Sequence, residues 1–283
     1  RAAARARLHP PHHRGGWPLN PTEPARAVAL RDGRLHEETD LVATEEPLEV
    51  RIQTAQGEQP LLITMRTPGH DQELVRGWLH SEGFRPLGDL EMVVDPATPN
   101  VVVLRSAAVE ELLALARAGF TASACGVCGA GSVERLTLTA PPMHVHAGPL
   151  SARWLCSLPA VLEQAQPVYR ATGGVHAAGL VSPQGTLLAA FEDVGRHNAL
   201  DKLIGWAWAS DQLPFGDHVL VVTSRAGFEI VQKAVTAGAQ TLVSVGAPTS
   251  LAVETAVHFG MALVGFLKPN SLKVYAGADR IEP

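Results

Sequence analysis

Apolar and polar positions alternate with a period of two after Pro47. There "LEVRIQTAQGEQPLLITMRTPG" gives two such runs about a glycine-containing turn and predicts a β-hairpin. The period lengthens in "HDQELVRGWLHSEGF", where Leu74, Trp78 and Leu79 share one helical face and Gly83 stands where a C-cap glycine is expected. "LEMVVD" and "NVVVLR" predict short strands. "VEELLALARA" predicts a helix from Val109 to Ala118 with Gly119 as its stop, and "VERLTLTA" returns to strand-like alternation. This mixture of hairpins and helices predicts an α+β unit.

The rhythm changes in the second half. "SLPAVLEQAQPVYRATGG" predicts a helix disturbed at Pro167. "VHAAGLVSPQGTLLAAFED" predicts two strands about a turn. "GRHNALDKLIGWAWA" predicts a helix with Leu200, Leu203, Ile204 and Ala207 on its apolar side. "HVLVVTS", "TLVSVG" and "MALVGF" are continuous apolar strands separated by the helical "RAGFEIVQKAVTAG" and "SLAVETAVHFG". Such strands belong in a buried, partly parallel sheet, an α/β arrangement whose ligands sit at the carboxyl ends of the strands. The expected organisation is a disordered tail over residues 1–25, an α+β domain over 26–150 and an α/β domain over 151–283.

Composition narrows the class. A hydrophobic content of 46% over 283 residues supplies a sizeable core. A formal net charge of -5 gives no general affinity for nucleic acid or anionic lipid. No apolar run reaches the roughly 20 residues of a membrane helix, and no apolar stretch follows the Arg-rich start, so neither a membrane span nor a secretory signal is expected. Three cysteines cannot build a disulfide framework, and the expected compartment is the reducing cytoplasm.

Two of those cysteines, Cys125 and Cys128, stand in "TASACGVCGAGSVERL". Three chemistries remain open there. Zinc needs four ligands, and His144 and His146 of "MHVHAG" offer the other two at a spacing tighter than usual. A redox dithiol prefers a helix start, which "CGVCGAGS" has too many glycines to open. Sulfur carriage needs a thiol that reaches first a donor and then an acceptor, and a glycine-flanked loop provides that reach. Cys156, in "RWLCSLP", reads as a buried and inert thiol.

Several separated blocks resemble the FdhD family of formate dehydrogenase accessory sulfurtransferases: "MRTPGHDQELVRGWLHSEG", "CGVCG", "GGVHAAGL", "EDVGRHNALDKLIG", "SRAGFEIVQKA", "TSLAVETA" and "LVGFLKPNSLKVY". The resemblance spans roughly residues 44–276. It implies a sulfur carrier that takes sulfur from a cysteine desulfurase as a persulfide on Cys125, assisted by Cys128. The acceptor it implies is the molybdenum bis(molybdopterin guanine dinucleotide) cofactor of formate dehydrogenase, whose site guanine nucleotides could also occupy. It further implies a homodimer and a C-terminal half like the cytidine deaminase fold, without a resident metal. Deaminase chemistry is not implied, because the chain has neither His-x-Glu at His176 nor any Pro-Cys-x-x-Cys. A non-catalytic cofactor chaperone with a Cys/His metal site, and a dithiol oxidoreductase, remain the alternatives.

A nucleotide-bearing acceptor needs backbone N–H groups at helix starts together with cationic side chains. Arg225 in "TSRAG" and Ser250 in "GAPTS" occupy such positions. The resemblance assigns cofactor binding to Phe266, Leu267, Lys268, Pro269, Asn270 and Ser271. In "EDVGRHN", Asp193 could accept from guanine N–H groups or orient the loop before the helix, and His197 is the histidine of that motif. His176 reads equally as a core histidine or a ligand contact. Arg66 and His70 of "RTPGH" could cap the following helix or line a route between sites.

Overall fold

The computed structural model describes residues 20–84, 89–122 and 148–283, and the side chains of 116–122 lie outside that description. Cys125, Cys128, His144, His146 and the predicted strand "VERLTLTA" all fall outside the described residues.

Two larger sheets organise the chain. The first contains β3 (Glu46–Thr54), β4 (Gly57–Arg66), β5 (Glu91–Val94) and β6 (Val101–Arg105), in the order β4-β3-β6-β5. Its alternation buries Leu48, Val50 and Ile52 on one face, against α1 (Asp71–Ser81) and α2 (Val109–Ala122). Gly83 follows α1 with φ 93°, the left-handed stop read from the sequence. Gly119 is no stop, because α2 continues to Ala122.

The second sheet is six-stranded: β8 (His176–Val181), β9 (Leu187–Asp193), β10 (Gly216–Val222), β11 (Ala239–Ser244), β12 (Ala262–Lys268) and β13 (Ser271–Ala276). Their order is β13-β12-β11-β10-β8-β9. Strands β10, β11 and β12 run parallel, while β8, β9 and β13 join antiparallel. Helices α3 (Ala152–Glu163) and α4 (Pro167–Thr172) precede this sheet, and Pro167 opens α4 at its first position, where a missing N–H costs nothing. The crossovers are α5 (Arg196–Ala209), α6 (Phe228–Thr236) and α7 (Ser250–His258). Leu200, Leu203, Ile204 and Ala207 are buried as the periodicity predicts, and Cys156 is a buried free thiol.

Residues 22–25, expected in the tail, are instead strand. A hairpin of β1 (Thr22–Arg31) and β2 (Arg34–Ala43) stands apart from both sheets, and β7 (Leu150–Ser151) pairs with β14 (Ile281–Glu282) at the chain end.

Helices α1 and α5 hold the two sheets together by direct backbone approach. A Cβ at Gly77 would lie 1.8 Å from the Asp201 carbonyl oxygen, and one at Gly205 would lie 1.8 Å from that of Glu73. Only glycine at both positions permits this crossing. Ionic groups are buried beside it. Lys233 Nζ lies 2.8 Å from Asp201 Oδ1, which also accepts from Ser81 Oγ at 3.0 Å. Burial pushes the Asp201 carboxyl up, against the opposing pull of Lys233. Lys233→Met should therefore cost about 3–5 kcal/mol in urea unfolding, because it strands a buried carboxylate.

Candidate functional site at the strand ends

The three parallel strands end at one edge of the second sheet. After β10 come residues 223–227, after β11 residues 245–249, and β12 turns through Pro269 and Asn270 into β13. Hydrogen bonds lace these ends together. Ser244 Oγ donates to the Ser224 carbonyl at 2.6 Å, Ala226 N donates to Ala247 O at 3.1 Å, and Phe266 N donates to Gly246 O at 3.0 Å. A Cβ at Gly246 would lie 2.8 Å from the Arg225 backbone, so glycine brings the first two ends into contact.

Two crossover helices start at this edge without side-chain caps. Gly227 precedes α6 and Thr249 precedes α7, and neither supplies a capping side-chain hydrogen bond. Ser250 is exposed in the first turn of α7 rather than serving as its cap. The uncapped first-turn N–H groups carry the positive end of each helix dipole. Arg225 is exposed between them, and its guanidinium has no partner among the described residues.

The segment from Phe266 to Ser271 divides by face. Phe266 has φ 52°, in the left-handed region where an aromatic residue is strained, and it is 38% exposed with Lys273 Nζ 4.7 Å from its ring centroid. Lys268, Pro269, Asn270 and Ser271 are exposed in the turn. Leu267 is not: it points into the core at 2% exposure, so its side chain is structural and cannot touch a ligand at this edge.

Asp193 is also withdrawn from any ligand. It is fully buried, pairs with Lys202 Nζ at 2.7 Å and accepts from the backbone N–H groups of Thr67 and Gly195. Asn198 joins it by donating to Asp193 Oδ1 and to the Met65 carbonyl. Asp193 thus orients the loop before α5 and ties it to the end of β4, the second of the two roles read for it. Arg66 is equally buried and grips Asp71 through two nitrogens at 2.9 and 3.1 Å, fixing the start of α1. His70 packs edge-on against Phe191 with centroids 4.9 Å apart.

His197 lies at the start of α5, and its Nε2 meets Glu229 Oε2 of α6 at 2.8 Å. That hydrogen bond holds the Glu229 carboxyl below its ordinary value. His176 is half-buried at the start of β8; burial first, then the charges of Arg196 and His197, pushes its imidazolium down and favours the neutral ring. His176, Arg196 and His197 therefore form one electrostatic group bridged to α6 by Glu229. The sequence reading passed over Glu229, although it stands four residues beyond Arg225 in the "SRAGFEIVQKA" block. Among the described residues no three His, Cys, Asp or Glu side chains gather as a metal site; the Cys/His alternative lies outside them.

These features define an α+β protein with parallel strand ends gathered under uncapped helix starts. The chain belongs to the FdhD/NarQ family, whose model matches residues 43–282. It is 42% identical over 278 residues to the sulfur carrier protein FdhD of Streptomyces coelicolor, covering 92% of this chain and 95% of that protein. It is 36% identical over 260 residues to the protein of the same name from Saccharolobus solfataricus, covering 90% and 96%. A crystal structure from Desulfotalea psychrophila, described as a formate dehydrogenase accessory protein, has the same fold. Its TM-score is 0.72 at 22% identity, over 94% of this chain and all of that one.

Proposed function

We propose that the protein is a sulfur carrier in formate dehydrogenase maturation, acting as a sulfurtransferase through a persulfide on Cys125. The observation that carries this reading is the match to sulfur carrier relatives along nearly the whole chain, with the "CGVCG" thiols in place. The Cys125 thiolate attacks the sulfane sulfur of a cysteine desulfurase persulfide. A new S–S bond forms on Cys125 and the donor leaves as its thiolate. Cys128 assists by exchange. The molybdenum bis(molybdopterin guanine dinucleotide) of formate dehydrogenase is the substrate that accepts the sulfur, and the protein works in the cytoplasm as a homodimer.

The strand-end edge supports acceptor binding. The uncapped starts of α6 and α7 suit a pyrophosphate, Arg225, Ser250 and Lys268 add charge and hydrogen bonds, and Phe266 offers an exposed ring to a flat heterocycle. Asn270 and Ser271 extend the polar rim, while His176, at the start of β8 beside the end of β10, and His197, bonded to Glu229 of α6, would add hydrogen-bonding groups. The order β9-β8-β10-β11-β12, with an antiparallel hairpin leading three parallel strands, supports the likeness to the cytidine deaminase fold. Separate cores support units at 26–150 and 151–283. One is built on Leu48, Leu74 and Leu104; the others draw on residues from Leu150 onward.

Lys268→Ala should weaken guanine nucleotide binding about 10- to 150-fold, the equivalent of one charge-assisted hydrogen bond at ~1.5–3 kcal/mol. Titration calorimetry reads that affinity, and mass spectrometry of the same variant should show unchanged persulfide loading. Unaltered affinity would remove Lys268 from the acceptor site. Lost loading with unaltered affinity would place the turn at the donor's docking surface instead.

A further inference from the structure

Strand β9 runs parallel to β10, since both are antiparallel to β8, so α5 starts at the same edge as α6 and α7. Of these three helices, α6 alone has an acidic residue in its first turn, Glu229. The neighbouring carboxylates are committed or more distant. Asp193 is buried against Lys202, and Glu192 accepts from the backbone N–H groups of Val168 and Tyr169 at 3.0 and 2.7 Å. Glu254 stands beyond the first turn of α7.

A first-turn carboxylate ordinarily serves its own helix, by capping N–H groups or facing the dipole. Among the described residues Glu229 makes no hydrogen bond to the α6 backbone. It reaches across to α5, where His197 Nε2 donates to its Oε2 at 2.8 Å. That bond fills one of roughly four acceptor positions on a carboxylate. Oε1 has no partner among the described residues, and the side chain is 65% exposed. The carboxyl is held below its ordinary value, so at neutral pH it is an anion and can only accept.

Two adjacent acceptor oxygens match two adjacent donors. Guanine presents such a pair, N1–H beside the N2 amine. Adenine and cytosine set their amine beside a ring nitrogen that accepts, and uracil has one N–H between two carbonyls. Resting on the reading of this edge as an acceptor site for a guanine nucleotide, we propose that Glu229 selects guanine there by accepting from N1–H and N2–H. His197 is the positioning residue that fixes the carboxylate. The base then lies toward α5 and α6. The phosphates lie toward α7, whose first turn has no carboxylate to repel them.

Titration calorimetry on the full chain with guanosine and inosine diphosphates tests this, because the two differ only in the N2 amine. The wild type should bind guanosine diphosphate about 10- to 150-fold more tightly, the effect of one hydrogen bond to a charged group. Glu229→Gln replaces one acceptor oxygen with a donor that faces an N–H group of the base. Its preference should fall to near one, through lost affinity for guanosine diphosphate. A carboxylate that only faced the helix dipole would change both affinities alike and leave their ratio as in the wild type. His197→Ala should narrow the preference, and His197→Gln, which can still donate to Glu229, should regain part of it. Because Glu229 is exposed, the Gln variant should keep the fold, and the wild-type comparison needs no variant. Equal wild-type affinities, or a full preference in Glu229→Gln, would overturn the proposal and leave the acceptor reading standing. A wild type that binds neither nucleotide would overturn both.

Discussion

Cys125→Ala is expected to abolish activation of formate dehydrogenase in cells lacking the native protein, while the purified variant unfolds at the wild-type temperature. The motive is chemical. A persulfide requires a sulfur nucleophile, and no other functional group in "ACGVCGAG" supplies one except Cys128. If Cys128 only assists by exchange, Cys128→Ala should retain part of the activation. Equal and complete loss in both variants would favour an obligatory thiol pair or a metal site. Full activation by Cys125→Ala would remove the persulfide from that residue. Cys156 should tolerate serine without loss of sulfur transfer, since it is buried away from solvent.

The second large effect concerns stability. Gly205→Ala should cost about 3 kcal/mol or more, the upper end of overpacking effects. Its new methyl group would meet the Glu73 carbonyl oxygen at 1.8 Å and the Gly77 nitrogen at 2.7 Å. These are backbone atoms of a helix, so no side chain can swing aside. Relief requires α1 and α5 to separate, which would loosen the Asp201–Lys233 and Asp193–Lys202 pairs beside them. Gly33→Ala would be strained by its positive φ, so Gly148→Ala is the control: no atom of the described residues lies within 4 Å of its added Cβ, and its φ is ordinary. Its urea midpoint should stay near that of the wild type. A Gly205→Ala midpoint equally unchanged would mean that the helices do not cross so closely.

The legible parts of the fold are those where one residue pattern meets one environment. The apolar strands β10, β11 and β12 and the buried side of α5 followed from periodicity, as did the stop at Gly83. The polar residues of α5 misled. Asp201 and Lys202 look like a solvated face in sequence, yet both are buried by partners more than thirty residues away or on another element. Gly77 and Gly205 look like helix-weakening residues until the opposing helix is known. Asp193 left two roles open for the same reason, since Lys202, Thr67 and Asn198 are brought to it by tertiary structure. Leu267 was grouped with its neighbours in a ligand-binding run. The strand continues through it, and alternation sends it to the core. The β1–β2 hairpin is different. Its "RDGR" turn between "ARAVAL" and a second extended run is a legible hairpin signal, obscured by the charged composition around it.

The sequence blocks that carry the family likeness divide between two jobs. "MRTPGHDQELVRGWLHSEG" and "EDVGRHNALDKLIG" meet at the α1–α5 crossing and lock the two sheets together. "SRAGFEIVQKA", "TSLAVETA" and "LVGFLKPNSLKVY" reach the strand-end edge. One group sets the frame on which the other presents its helix starts.

The most direct measurement of the central claim is sulfur loading. The purified protein would be incubated with a cysteine desulfurase and sulfur-labelled cysteine, then digested and mapped without reductant. The account predicts one labelled sulfane sulfur on the peptide containing Cys125, released by dithiothreitol and absent from Cys125→Ala. An unlabelled Cys125, or label that persists in the Cys125→Ala protein at wild-type level, would contradict it.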